Sequence, residues 1–224
     1  MSNTKLKIIF AIIIISAVAG VAWPFFANLN LNVVPRAASQ WQMGKGSQFN
    51  PEMTYSVAFN NTQFTADMKF LPIQGQNQQL LVQITLADGK VITQTVPIGL
   101  VYDFPDVSPD AKPYFDMLDQ SVFSMRDYAT DSKYLAMGAE WGDVYIGANH
   151  EKLTITNVGK MSFGFGSANS YLLSYREGVN QNQVWIVDNL PLPVKAIEYD
   201  FNGTLLYSYE LVSVNAPSTP GLTS

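Results

Sequence analysis

The sequence predicts a mainly β (α+β) protein: an antiparallel, β-rich domain with one inserted helix, preceded by a membrane-spanning segment. Three observations lead there. Apolar residues recur at every second position through most of the chain after Met53, Asp-Gly and Asn-Gly dipeptides punctuate those runs, and residues 8–26 are continuously apolar.

The first element is "IIFAIIIISAVAGVAWPFF", Ile8 to Phe26, which has no charged residue. About 20 apolar residues cross a bilayer, whereas the core of a cleaved signal is about 7–15. Ala17 and Ala19 also make the small-x-small pattern of a cleavage site, so a cleaved signal is the competing reading, and it would leave the domain secreted or periplasmic. Cleavage after Ala19 would expose a sticky start, "GVAWPFF". Trp23, Phe25 and Phe26 instead suit the outer membrane interface, and Pro24 ends the helix because it has no N–H to donate. Lys5 and Lys7 precede the segment, which places residues 1–7 in the cytoplasm and the C-terminal domain outside. The bilayer is therefore the first expected partner, through residues 8–26.

Residues 27–52 lack a sustained period and read as a stalk; residues 53–214 form the β-rich extracytoplasmic domain; residues 215–224, "NAPSTPGLTS" after Val214, read as a mobile tail. Setting Lys5 and Lys7 aside, 11 of the 13 cations face all 18 acids, a net charge of −7 that offers nucleic acid no basic face. The chain has no cysteine, which removes disulfides, thiolate metal sites and cysteine nucleophiles. With 47% hydrophobic residues, 13 Phe and 11 Tyr, a core must supply the stability instead.

Within the domain, "TYSVAF" and "QFTADMKF" alternate as half-buried strands, and Leu80–Leu86 with Val91–Val96 flank Asp88-Gly89 as a tight hairpin. The helix is expected at about 111–128, with Phe115, Leu118, Val122 and Met125 on one face, Asp110 as N-cap and Pro113 in the first turn, where no N–H is needed. Strands resume after Thr130, with turns expected at Gly159 among other glycines and a closing hairpin at Asn202-Gly203.

Catalytic chemistry finds little support. His150 is the sole histidine and sits beside a turn, too few nitrogen ligands for zinc. Asp103, Asp106 and Asp110 lack the spacing of a calcium loop, and Ser167 in "GFGSANS" lacks the lysine and helix of a phosphate loop. Asp188, Glu198 and Asp200 are read as a solvated strand face, with a carboxylate-dependent hydrolase as the minor alternative. No cofactor is expected. Two sequons, Asn60-Asn61-Thr62 and Asn202-Gly203-Thr204, fall at turns and make Asn60 and Asn202 candidate N-glycosylation sites.

Gln183 to Val214 resembles the closing strands of LolA-like lipoprotein carriers through Asp188, Leu190, Pro191, Leu192, Asn202 and Gly203. The resemblance implies an unclosed antiparallel half-barrel whose concave face, under helical lid material, binds an apolar or acyl ligand or a protein partner. Phe115, Leu118, Val122 and Phe123 would then line the cavity. The chain lacks the lipidated cysteine of anchored relatives and has a helix in its place. The expected function is a non-enzymatic, single-pass, extracytoplasmic binding or accessory protein. A structural subunit of a membrane complex is the alternative, with Ser16, Ala17, Ala19 and Gly20 as close-packing residues for a membrane-protein partner.

Overall fold

Period-two patterning dictates the architecture. In the computed structural model, which describes residues 39–75, 77–98, 104 and 106–215, ten antiparallel strands share one sheet. The strands are β1 (Gln40–Trp41), β2 (Glu52–Phe59), β3 (Thr62–Phe70), β4 (Gln78–Leu86), β5 (Val91–Ile98), β6 (Lys133–Tyr134), β7 (Glu140–Ile146), β8 (Asn149–Phe163), β9 (Gly166–Glu177), β10 (Asn180–Val187), β11 (Lys195–Tyr199) and β12 (Leu205–Asn215). Their order is β5-β4-β3-β2-β12-β11-β10-β9-β8-β7, and β1 pairs separately with β6. The sheet is two meanders sewn together where β12 pairs with β2, and it does not close, since β5 and β7 each have a single neighbour. Ile8–Phe26, with Trp23, Phe25 and Phe26, lies outside the described residues, as does the tail beyond Asn215; among the described residues no helix is long and apolar enough to cross a membrane.

Alternation assigns the faces. Met53, Tyr55 and Val57 of β2, Ala66 and Met68 of β3, Leu80, Val82 and Ile84 of β4, and Tyr209 and Leu211 of β12 are all buried on one side, the inner face. The segment between β5 and β7 packs there, with Tyr114 edge-on to Phe64 at 5.6 Å and Phe104 against Phe115 and Phe123 at 5.6 and 4.8 Å.

That segment is not the single helix expected at 111–128. It comprises α1 (Lys112–Gln120), a run of turns, and the four-residue α2 (Arg126–Ala129). Ser121, Val122 and Phe123 are consecutive and all fully buried, which a helix lying on the sheet cannot arrange, because three successive residues span most of its circumference. The break is eased by serine hydroxyls that bond to backbone carbonyls, Ser121 to Met117 at 2.6 Å and Ser124 to Ser121 at 2.7 Å. The N-cap is Ala111 instead of Asp110: Ala111 is buried and Lys112 opens the helix, so Pro113 stands at its second position. Gly159 is likewise no turn. It pairs with Ser170 in the middle of the 15-residue β8. The long β8–β9 hairpin reaches β12 on the outer face, where Gly164 N–H donates to Glu210 at 2.9 Å and an added Cβ would stand 2.9 Å from Val212 Cα.

The stalk expected at 27–52 is packed into the domain from Ser39 onward. Trp41 is fully buried, stacks on Trp141 at 5.7 Å, and donates its indole N–H to Leu190 O at 2.7 Å. Gly44 N–H donates to Pro191 O at 2.8 Å, and Tyr55 Oη donates to Pro193 O at 2.9 Å. Asp188 accepts from both Ser39 and Lys45. A structureless stalk would have left the buried Leu190 and Pro191 carbonyls without these donors. Gly46, at φ 86°, passes so close to the same loop that a Cβ would lie 2.4 Å from Asn189 O.

Trp41→Phe is expected to cost about 1–3 kcal/mol by stranding the Leu190 carbonyl, and Trp41→Ala about 3–5 kcal/mol by adding a cavity. Urea unfolding of the domain followed by tryptophan fluorescence measures both; a variant with wild-type midpoint would show that the segment does not hold the fold.

Candidate functional site

The inner face carries a row of titratable side chains around β11. Glu198 of β11 stands opposite Tyr207 of β12, and Tyr175 of β9 stands opposite Asn182 of β10. A register shift follows Glu198, and Asn182, fully buried, repairs the broken ladder: its Oδ1 accepts from Tyr199 N–H at 2.9 Å and its Nδ2 donates to Tyr199 O at 3.2 Å. The bulge and its repair hold Glu198 toward the interior. Tyr175 Oη donates to Glu198 Oε1.

Burial sets the chemistry of the row. It pushes the Glu198 carboxyl up to about 8, so at neutral pH the group is mostly a neutral acid that can donate as well as accept. Burial raises Tyr207 further from ionisation, with smaller contributions from Glu198 and Tyr128 against a hydrogen bond with Ser124. Tyr128 of α2 is raised by burial and then by Asp127 and Glu198. Tyr55 and Tyr209 are raised well above the usual phenol range by burial. The Tyr209 hydroxyl is buried and has no hydrogen-bond partner among the described residues. Phenols held this far from ionisation are hydrogen-bonding groups and not nucleophiles. The row is a patch of neutral donors and acceptors on the inner face.

This corrects the reading of Asp188, Glu198 and Asp200 as one solvated face. Glu198 shares the inner face with Ala196 and Tyr209, whereas Asp188 is tied to Ser39 and Lys45, and Asp200 accepts from Thr204 N–H at 2.8 Å to shape the last turn. Three carboxylates near in sequence serve three separate tasks. The signal was available in the pattern, since Glu198 has the same parity as Ala196 in β11.

The other expected residues fall as follows. Phe115, Leu118, Val122 and Phe123 are each at most 2% exposed, and Phe115 and Phe123 pack on Phe104 as core. Asn60 and Asn202 are exposed at hairpin turns, Asn60 with φ 52°. His150 is exposed, its ring 6.1 Å from that of Tyr145, and Ser167 makes a 3.2 Å contact with Ser162 across the β8–β9 ladder. Asp106 and Asp110 are exposed, while Asp103 lies outside the described residues. Among the described residues no three His, Asp or Glu side chains converge as a metal site.

No protein-family model and no curated protein matches the chain. Among solved structures it is similar to MucB in complex with MucA(peri), at 12% identity and a TM-score of 0.46 over 81% of this chain and 56% of that one. It is also similar to the Pseudomonas aeruginosa MucA/MucB complex, at 10% identity and a TM-score of 0.44 over 80% and 56%. A protein of YmcC-like fold from Bacteroides fragilis gives 9% identity and a TM-score of 0.35 over 80% and 100%. The chain thus spans about 56% of the length of the MucB structures. At these TM-scores the likenesses leave function to be argued from the chain's own residues. Unclosed antiparallel strands with short helices against their inner face are what the sequence resemblance and the structure have in common.

Because Glu198 is raised in the fold, the unfolded chain ionises first as pH rises. Stability is full below about 4.5, the ordinary value, and falls until about pH 8, by about 2–4 kcal/mol after allowance for partial exposure. Glu198→Gln, which keeps a neutral acceptor for Tyr175, is expected to remove that slope and to be the more stable protein at pH 8. Parallel stability curves for the two proteins between pH 4.5 and 8 would contradict the assignment.

Proposed function

We propose that this chain is an extracytoplasmic accessory protein without catalytic activity of its own, anchored by residues 8–26, that receives an extended segment of a partner protein along the open edge of β7. The observation that carries the reading is the asymmetry of the two sheet edges. β5 ends in Pro97-Ile98, and a proline on an edge strand offers no donor to an incoming chain. β7, "EWGDVYI", has no proline; Tyr145 within it is 78% exposed and Met137, just before it, 62%. Its register shift is confined to Glu140–Gly142, which leaves Asp143 to Ile146 regular. Added strands gain main-chain hydrogen bonds from such an edge and specificity from flanking side chains.

The packing of Phe115, Leu118, Val122 and Phe123 as core supports a partner held on the surface over an acyl chain held inside. The separate employment of Asp188, Glu198 and Asp200 supports the non-enzymatic reading over a two-carboxylate hydrolase. A partner within the membrane would unite the accessory and subunit readings.

A photo-crosslinking residue at Tyr145 in the full-length chain, expressed in native membranes, is expected to give a covalent adduct with a second protein, and the same residue at Val91, the first residue of β5, is expected to give none. Recovery of a lone monodisperse monomer without an adduct from position 145 would overturn the proposal.

A further inference from the structure

The β2–β3 and β11–β12 hairpins carry the same tetrapeptide pattern. Phe59-Asn60-Asn61-Thr62 forms the β2–β3 turn, and Phe201-Asn202-Gly203-Thr204 lies between β11 and β12. The sheet sets them side by side: Phe59 pairs with Tyr207, and Asn60 N–H donates to Leu206 O at 2.8 Å. A third turn, between β9 and β10, backs onto the second of these, since a Cβ on Gly178 would lie 2.4 Å from Phe201 O. This end carries the largest apolar exposures of the three turns, Val179 at 83%, Phe201 at 66%, Leu205 at 42% and Leu206 at 36%. Its charges are mixed, with Arg176 and Glu177 before one turn and Asp200 before another. The chain enters the domain at the opposite end, because Ser39 bonds to Asp188 past the far end of β10, about 25 Å away along the strand.

We propose that Asn202, and beside it Asn60, are N-glycan acceptors, and that the glycan on Asn202 covers the exposed ring of Phe201 next to it. Both asparagines are exposed on tight turns, where a transferase can reach the side-chain amide, and each has the required threonine two residues on. A sugar ring has an apolar face that lies on an aromatic ring, and Phe201 immediately precedes the acceptor. In the transfer, the Asn202 side-chain nitrogen forms a bond to the anomeric carbon of a polyprenol-phosphate-linked oligosaccharide. The bond from that carbon to the phosphate oxygen breaks, its electron pair leaves with the lipid phosphate, and the amide loses one proton.

The inference rests on the extracytoplasmic placement proposed above and on no partner. The absence of cysteine makes that placement separately testable. A Lys90→Cys variant, altered at an exposed turn, is expected to react with a membrane-impermeant maleimide on intact cells. From those same cells the full-length chain is expected to yield peptides containing Asn202 and Asn60 with attached glycan by mass spectrometry. Thr204→Ser should retain the glycan at Asn202, and Thr204→Ala and Asn202→Gln should each lose it. An Asn202 peptide found unmodified in maleimide-labelled protein overturns the proposal, whatever is found at Asn60. Failure of the labelling itself would instead overturn the extracytoplasmic placement.

Discussion

Everything in this domain depends on finding donors for the carbonyls of one buried segment, Leu190–Val194. Its two prolines supply no N–H, so the segment cannot join the ladder as an ordinary strand, yet its carbonyls are out of water. The donors come from far away in the chain. Trp41 reaches Leu190 across 149 residues, Tyr55 reaches Pro193 across 138, and Gly44 supplies Pro191. Val194 then returns the chain to the sheet, its N–H donating to Trp185 O and its carbonyl accepting from Leu211 N–H. The first and last thirds of the sequence are thereby fastened by two side-chain donors and one backbone donor.

A cysteine-free domain of this kind needs some such closure. A disulfide would tie the ends by restricting the unfolded chain. Here three hydrogen bonds, the Trp41–Trp141 stack and the Lys45–Asp188 ion pair act on the folded state instead. The ion pair is partly exposed and contributes at most about 1 kcal/mol. The indole and phenol are fully buried, so each loss also strands a carbonyl. The device is strong through penalties for breaking it and not through any single favourable bond.

Strand patterning was legible in the sequence, because alternation at period two is written into the residues themselves. The Asp88-Gly89 hairpin, the strands around it and the closing Asn202-Gly203 turn all follow from local chemistry. What was hidden depended on partners distant in sequence. Ser39–Asn50 has no period of its own and looked like a stalk; its structure comes from the Leu190–Pro193 acceptors. The run Ser121–Phe123 has a good helical pattern on either side, and only the demand that all three be buried breaks it. Glu198 was half legible: its parity placed it with Ala196, but the bulge after it and the repair by Asn182 required knowledge of three strands.

The same long-range fastening explains why a neutral carboxyl survives on the inner face. Burying an acid beside four tyrosines works against stability as pH rises, and a loosely held sheet would relieve it by letting Glu198 swing to water. That escape requires β11 to move, and β11 lies between β10 and β12, the two strands that carry the bonds to and from Val194. The carboxyl is therefore held where it is by the segment whose carbonyls Trp41 and Tyr55 satisfy.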